Sequence, residues 1–250
     1  MDEAASRGMN IFQWFTDPAN WSGPDGIPVR TMQHIVISAG AMLIALVIAM
    51  PIGLILGHKG KGAFLANNIG NIGRAVPVLG VLIIFASITV IGVGDVAAVL
   101  ALALFAIPPL LTNTITGISE VDPEVRDAAR GLGLSGSQML RKVELPLAVP
   151  LVAAGVRTAT VQVVATASLA AIVGSGGLGR YVVDGFATQD TTLILAGAIL
   201  TAAISLAAEG VMAVVQRVVT PKGLTAESVT DESMMDADPT AVPPAAAAGV

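Results

Sequence analysis

Five long runs with almost no charged side chains limit what this sequence can fold into. Three of them carry no charge, and the other two carry one each, Arg157 and Glu209 respectively. A helix needs about 20 apolar residues to cross about 30 Å of hydrocarbon, and in lipid its backbone must satisfy its own hydrogen bonds. We therefore predict an all-α integral membrane protein with about five transmembrane helices. The predicted spans are residues 35–57, 75–94, 96–119, 147–173 and 191–216.

The distribution of lysine and arginine predicts the orientation of these spans. With the N-terminus outside, nine basic residues fall on the inner side of the membrane and three on the outer side. Short loops rich in lysine and arginine stay in the cytoplasm. The pattern therefore predicts an outer N-terminus and a cytoplasmic C-terminus for this multi-pass protein.

The two ends of the chain are predicted to lie outside the transmembrane domain, residues 31–220. Residues 1–30 carry four of the nine aromatic residues, and tryptophan favours the bilayer interface. They are expected to form an extracytoplasmic segment on the membrane surface or, alternatively, a floppy polar leader. Residues 223–250 carry five acidic residues and no basic one. Such a composition cannot offset the entropy of ordering, so residues 221–250 are predicted to form a disordered acidic cytoplasmic tail.

The loop between the third and fourth spans, residues 120–146, is predicted to form two short helices. The first begins after Asp122, a good N-cap residue that is followed by proline. The second begins after Ser135, where glutamine three residues later completes a capping-box pattern. Gly133 lies between them, where the chain must turn. Pro146 is expected to end the second helix.

The same loop contains a motif that combines small residues, a glycine and an apolar anchor. Its residues are Asp127, Ala128, Ala129, Gly133, Val143, Glu144, Leu145 and Pro146. This motif resembles the Glu-Ala-Ala…Gly…Ile-x-Leu-Pro loop of binding-protein-dependent ABC importer permeases, with aspartate and valine in place of the usual glutamate and isoleucine. The resemblance implies that the two alanines sit in a cleft of a separate ATPase. It also implies that the glycine allows a sharp turn and that the Leu-Pro pair anchors the loop to the fourth span.

Further stretches are similar to the glycine betaine/carnitine/choline permeases. They are residues 25–30, His34, residues 51–53, 70–77 and 171–179. The resemblance extends over about residues 10–220 and implies a type I importer permease (MetI-like) bundle in a bacterial inner membrane. It implies three kinds of protein partner: an extracytoplasmic solute-binding protein, two cytoplasmic ABC ATPase subunits, and a second permease subunit. That second permease is either another copy of this chain or a paralogue.

Three polar residues of the fourth span are candidates for lining a translocation path. Thr158, Gln162 and Thr166 recur every four residues and so share one face of a helix. That face either lines a path for a zwitterion or forms hydrogen bonds between packed helices. Gly155 and Ala159, also four residues apart, predict close helix packing instead of a site.

The charged and aromatic residues inside the spans have more than one interpretation. Glu209 is a candidate functional residue, as ionisable groups inside spans commonly are; the alternatives are a pair with a neighbouring base or extension toward the inner surface. Arg157 is expected near the inner end of its span, beside the charged loop. Phe85 and Phe105 are the aromatic residues well inside spans, so an aromatic cage for a cation is expected in the binding protein.

Several functional classes have no support in the sequence. There is no cysteine, which excludes disulfides and thiolate metal sites. No P-loop pattern occurs, so ATP hydrolysis is expected in partner subunits and this chain is not expected to be an enzyme. A glycine pattern at residues 174–179 fits a dinucleotide fingerprint but follows a membrane span, so we predict an extracellular turn there. With His34 and His58 far apart, neither a metal nor another cofactor is expected, and no nucleic-acid partner is expected for a loop tethered to the membrane.

The predicted function is that of a permease subunit of an ABC importer for an osmoprotectant such as glycine betaine, choline or carnitine. One alternative is an ABC permease for another small solute, such as methionine or another amino acid. Another is an ATP-independent secondary transporter, for which intramembrane carboxylates or inverted repeats are expected.

Overall fold

The computed structural model describes residues 10–60, 64, 68–70, 73 and 75–221, and the regular secondary structure within them is entirely helical. Three short irregular helices join the main ones: 3₁₀ segments at Pro18–Trp21 and Ala167–Val173 and a π-helical turn at Leu140–Glu144. The acidic tail from residue 222 onward and residues 1–9 lie outside the described residues. The α-helices whose bounds fall within the described residues are, in chain order, α1 (Ile11–Thr16), α2 (Ile27–His58), α3 (Val78–Ser87), α4 (Asp95–Ser119), α5 (Pro123–Gly131), α6 (Gly136–Met139), α7 (Leu145–Thr166), α8 (Gly179–Thr188) and α9 (Thr191–Val219).

Four helical segments in the described part of the chain are long and apolar enough to cross a membrane, which confirms the predicted all-α membrane fold. They are α2, α4, the continuous segment Gly136–Val173 and α9. Helix α2 begins at Ile27, eight residues before the predicted start of the first span at residue 35. The helices α2, α4 and α7 pack against one another to form the centre of the bundle.

The apolar run at residues 75–94 forms a shorter helix than a full span requires. Helix α3 covers only Val78–Ser87, and ten residues at 1.5 Å each extend for about 15 Å. After it, Gly92 and Gly94 adopt positive φ angles of 72° and 112°, which turn the chain into α4. The uncharged run therefore contains a short helix and a turn, and its length alone does not distinguish these from one continuous helix.

Small side chains allow the central helices to approach closely. Ala159 has no exposed surface, and a Cβ atom added to Gly155 would lie 2.5 Å from Cβ of Asn113 on α4. The prediction of close packing at these two positions is confirmed. Interfaces between membrane helices commonly use small residues in this way.

A bulky residue at Gly155 should weaken the bundle. Gly155→Leu forces atoms into space that Asn113 occupies, and overpacking of this kind costs about 1–3 kcal/mol. Gly210→Leu is the matched control, because no atom lies within 4 Å of a Cβ at Gly210. We expect a lower melting temperature in detergent for the Gly155 variant than for the Gly210 variant. Equal melting temperatures would contradict the close approach of α4 and α7.

The N-terminal segment packs on the bundle through Trp14. The Trp14 side chain is buried against Tyr181 of α8, with ring centroids 5.5 Å apart, whereas Phe12 and Trp21 are exposed. The Tyr181 hydroxyl donates a hydrogen bond of 2.6 Å to the carbonyl oxygen of Asp25. Burial raises the pKa of Tyr181 to about 12, so the phenol keeps this proton at neutral pH. The segment is thus ordered against α8, and not a floppy leader over its described residues.

The glycine-rich stretch after α7 is a tight turn, as predicted. Gly174 and Gly177 have φ angles of 80° and 93°. The Ser175 hydroxyl donates a hydrogen bond of 2.7 Å to Asp95 Oδ1 at the start of α4. The Gly177 N–H donates one of 3.0 Å to Gln33 Oε1 of α2. The segment before this turn is helical, not the strand that a dinucleotide site requires.

Candidate functional site

The loop at residues 120–146 begins its two short helices where the caps predict. The Asp122 side chain accepts a hydrogen bond of 2.8 Å from the N–H of Glu124 at the start of α5. Ser135 and Gln138 form the reciprocal capping box at the start of α6. Gly133 has a φ angle of 79°, and its N–H donates to the Arg130 carbonyl oxygen. These three predictions are confirmed.

Pro146 does not end a helix, contrary to the prediction. The chain passes from α6 through the π-helical turn into α7 without a break, and Pro146 lies in the first turn of α7. Proline lacks an N–H and cannot make the usual bond to the carbonyl four residues earlier. The wider π-turn directly before it, in which the Leu145 N–H donates to the Leu140 carbonyl oxygen, accommodates this missing bond. The second short helix of the loop is therefore continuous with the fourth predicted span.

The motif residues of α5 face in different directions. Asp127 and Ala128 are exposed, whereas Ala129 is only 7% exposed and faces its own chain. Contact of both alanines with an ATPase stays a prediction, for which Ala128 offers an accessible side chain and Ala129 little exposed surface. Ala129 is buried because it lies on the side of α5 that faces the bundle. A contiguous sequence motif does not show which side of a helix each residue occupies.

An exposed apolar stripe, which the sequence reasoning missed, lies on α5 and its C-cap. It consists of Val125, Ala128 and Leu132, spaced three and four residues apart on one side of the helix. Leu132 is 83% exposed. The signal that could have revealed it is the apolar spacing within an otherwise polar segment.

A buried carboxylate joins this loop to the bundle. Glu144 is 1% exposed, and its Oε2 lies 2.6 Å from Nδ1 of His58 at the end of α2. Its Oε1 lies 3.3 Å from Nε of Arg126 on α5. Arg126 also donates through Nη2 to the carbonyl oxygen of Ile118 near the end of α4. Glu144 and Arg126 together thus link the ends of α2 and α4 to α5 and the π-turn.

From the sequence, Glu144 was recognised only as the variable residue of the motif, and no contact was predicted for it. The available signal was an acidic residue between Val143 and Leu145, where an apolar environment was expected. A buried charge requires compensating partners, and His58 and Arg126 are 86 and 18 positions away in the chain, so their convergence depends on the fold.

Neutralising Glu144 should loosen the loop. Glu144→Gln leaves Arg126 without its buried counter-charge, and breaking such a pair costs about 3–5 kcal/mol. We expect faster trypsin cleavage at the exposed bases Arg141 and Lys142, together with a lower melting temperature. Glu124→Gln is the control, because Glu124 is exposed on α5. If both variants are cleaved at the wild-type rate, Glu144 does not hold the loop.

Two adjoining cavities bring polar side chains of three helices together. A cavity of about 590 Å³ lies between α7 and α9, and one of about 260 Å³ lies between α4 and α7. Thr158 and Gln162 line both of them, and we call the two cavities together the polar groove. Its polar side chains are Thr112, Asn113, Arg157, Thr158, Gln162, Glu209 and Gln216.

The groove contains two of the three predicted path residues. Thr166 lines neither cavity, and its hydroxyl donates back to the carbonyl oxygens of Gln162 and Val163 on its own helix. Thr112 and Asn113 were missed, although they follow the Pro108–Pro109 pair in an otherwise apolar span. The Asn113 side chain donates a hydrogen bond of 2.8 Å to the carbonyl oxygen of Pro109. The Asn113 amide thus bonds back to the preceding turn of its own helix.

Arg157 and Glu209 form an ion pair between α7 and α9. Nε of Arg157 donates a hydrogen bond of 2.9 Å to Oε1 of Glu209, and Nη2 donates to the same oxygen. Nη1 donates one of 3.1 Å to Oε1 of Gln216. The expected pairing of Glu209 with a base is confirmed, and Arg157 contacts α9 instead of the charged loop.

Comparison with known proteins identifies the family that this chain matches. The family model described as "Binding-protein-dependent transport system inner membrane component" matches residues 49–221. This range contains the loop at residues 120–146 and every polar residue of the groove.

Three curated relatives are similar to about two thirds of the chain. A choline transport system permease protein of Bacillus subtilis is 38% identical over 170 residues, which cover 68% of this chain and 77% of that protein. A glycine betaine/carnitine/choline transport system permease protein of the same species is 37% identical over 170 residues, with the same coverage of 68% and 77%. An osmoprotectant import permease protein of Salmonella typhimurium is 34% identical over 179 residues, covering 68% of this chain and 80% of that protein.

A solved structure has the same fold. A chain of the MetNI methionine ABC transporter, in an inward facing conformation, superposes with a TM-score of 0.69. The match covers 82% of this chain and 100% of that one at 22% sequence identity. At this level of identity the similarity concerns the fold of the helical bundle.

Proposed function

Because the chain belongs to the family of binding-protein-dependent transport system inner membrane components, we propose that it carries a small quaternary ammonium osmoprotectant across the bacterial inner membrane. The observation that carries this proposal is the polar groove in an otherwise apolar bundle, on the same chain as the exposed apolar stripe of α5. A scaffold would need neither feature. The substrate class follows from the choline and glycine betaine permeases that it resembles.

The proposed partners are two cytoplasmic ABC ATPase subunits, an extracytoplasmic binding protein and a second permease, either a copy or a paralogue. ATP hydrolysis belongs to the ATPase subunits. The N-terminus lies outside and the loop at residues 120–146 faces the cytoplasm, an orientation supported by the excess of lysine and arginine on that side.

Helix α5 is the proposed docking element for the ATPase. Short amphipathic helices bind partners by placing an apolar face in a groove, and the stripe of Val125, Ala128 and Leu132 provides such a face. Asp127 forms a 2.7 Å pair with Arg130 beside the stripe and supplies a polar edge. Gly133 turns the chain after the stripe, and movement of α5 would reach α7 through α6 and through the pair of Arg126 with Glu144 in the π-turn.

The polar groove is the proposed route of the substrate. A quaternary ammonium group has no N–H to donate, so it is attracted by oxygen dipoles, carboxylates and aromatic faces. Thr158 and Gln162 present oxygens on α7, and Phe105 lines the adjoining cavity on α4. Thr166 has a smaller proposed part, because its hydroxyl is bound to its own helix.

Import of choline and glycine betaine tests the proposed function. We expect proteoliposomes with this chain, its ATPase and its binding protein to accumulate labelled choline, glycine betaine or both. Accumulation should require ATP on the side of the membrane that carries the ATPase. Labelled methionine serves as the control solute. Accumulation of methionine but of neither quaternary amine would assign a different substrate, and uptake without ATP would indicate a secondary transporter.

Substitution of Ala128 tests the docking element. Ala128→Trp should reduce ATPase co-purification and import at least about tenfold, the effect of losing about 1.4 kcal/mol of binding, because the indole cannot fit a cleft that accepts a methyl group. Membrane abundance should not change, since Ala128 is exposed in the chain itself. Ala128→Ser controls for polarity, and Ala187→Trp controls for a bulky group at an exposed site on α8. Normal import by Ala128→Trp would remove α5 from the interface.

A further inference from the structure

The ion pair in the polar groove has a feature that a simple clamp between helices does not require. The Arg157 and Glu209 side chains are 36% and 37% exposed, although each lies in a run of more than 20 residues with no other charge. Charged groups that face lipid are costly, and such residues normally face a bundle interior or a water-filled cavity. The open side of this pair therefore belongs to an aqueous route or to a protein-lined cavity.

We propose that Arg157 and Glu209 form the charge-recognition site for a zwitterionic substrate, with the guanidinium binding the carboxylate and Glu209 facing the quaternary ammonium group. This inference rests on the proposed function and deepens it by naming the binding groups. The cavity between α7 and α9, at about 590 Å³, lies within the range of about 300–1,000 Å³ typical of small-molecule sites.

The hydrogen bonding of the pair suits an exchange of partners. Two nitrogens of Arg157 converge on Oε1 of Glu209, so the guanidinium does not use both carboxylate oxygens in its most favourable parallel geometry. Its remaining nitrogen, Nη1, bonds to the neutral side chain of Gln216. A substrate carboxylate can bind the guanidinium of Arg157 through both of its oxygens. It would displace the contacts that Arg157 makes with Glu209 and Gln216.

The exchange leaves no charge uncompensated. When a substrate carboxylate takes the place of Glu209 on Arg157, the freed Glu209 carboxylate neutralises the quaternary ammonium group of the same molecule. Replacing one internal pair by two pairs avoids the cost of an unpaired charge in a low-dielectric site. Thr158 and Gln162 lie in the same cavity and lead from this site into the adjoining one.

Choline and glycine betaine should therefore depend on the pair differently. Choline has the quaternary ammonium group but a hydroxyl in place of the carboxylate, so it needs Glu209 and gains little from Arg157. Glycine betaine needs both residues. A structural clamp predicts instead that both substrates respond to each substitution by the same factor.

The test uses the complete transporter in proteoliposomes, with labelled choline and labelled glycine betaine. For Arg157→Gln we expect glycine betaine import to fall at least about tenfold more than choline import, and for Glu209→Gln we expect both to fall. Arg157→Lys keeps the charge without the two-pronged fork, and so should impair glycine betaine more than choline even if the neutral variants insert poorly. Arg180→Gln is the matched control, because Arg180 and Asp184 form a pair of similar exposure, 32% and 42%, on α8.

The exchanged pair Arg157→Glu/Glu209→Arg separates recognition from clamping. We expect it to recover the wild-type melting temperature but not import. Recovery of import, or equal losses of both substrates in Arg157→Gln and Arg157→Lys, would overturn the inference and leave a structural clamp. If the wild-type complex imports neither compound, the proposed function fails as well, a result distinct from wild-type import that the variants leave unchanged.

Discussion

The buried carboxylate of Glu144 is the interaction on which the arrangement of the loop depends. Helix α5 has nine residues, too few to be stable alone in water, and its exposed stripe lacks apolar cover. It is held because Arg126 reaches Glu144, which His58 also contacts. A buried charge with only one partner would be costly. The two bases make its burial tolerable and thereby tie α5 to the ends of α2 and α4.

This attachment gives the loop and the groove a common frame. Glu144 lies in the π-turn that continues into α7, and α7 carries Arg157, Thr158 and Gln162. The close approach of α7 to α4 at Gly155 brings Asn113 to the other side of the groove. A movement of α5 against a partner would consequently reach the groove through one continuous helix and one ion cluster. In our proposal this is the physical route by which the ATPase acts on the substrate path.

Local features of the loop were predictable, whereas orientation across the fold was not. The caps at Asp122 and Ser135 depend on residues within three positions, so the sequence contains the whole interaction. The burial of Ala129 and the partners of Glu144 depend on contacts between distant segments. Hydropathy also could not resolve the run at residues 75–94, because the helix ends at Ser87 and the turn that follows, with Gly92 and Gly94 at positive φ, is equally uncharged. Pro146 was misjudged because a π-turn can absorb a missing backbone donor.

In the polar groove, too, local features were predictable and contacts between distant segments were not. The four-residue spacing of Thr158 and Gln162 predicted a common face, but the same spacing included Thr166, whose hydroxyl bonds to its own helix. Thr112 and Asn113 join the groove only through the packing of α4 on α7. The ion pair of Arg157 and Glu209 links positions 52 residues apart. From the sequence alone, pairing with a base could not be distinguished from extension of Glu209 toward the membrane surface.

Cysteine crosslinking from α5 tests most directly the claim that this helix meets the ATPase in the cytoplasm. The chain has no native cysteine, so Ala128→Cys and Ser22→Cys each introduce a single reactive thiol at an exposed position. The thiol at position 128 is predicted to crosslink to the ATPase subunit in membranes and to be shielded from an impermeant reagent in whole cells, while the thiol at position 22 shows the opposite behaviour. Labelling of position 128 from outside the cell, with no crosslink to the ATPase, would contradict both the orientation and the docking role of α5.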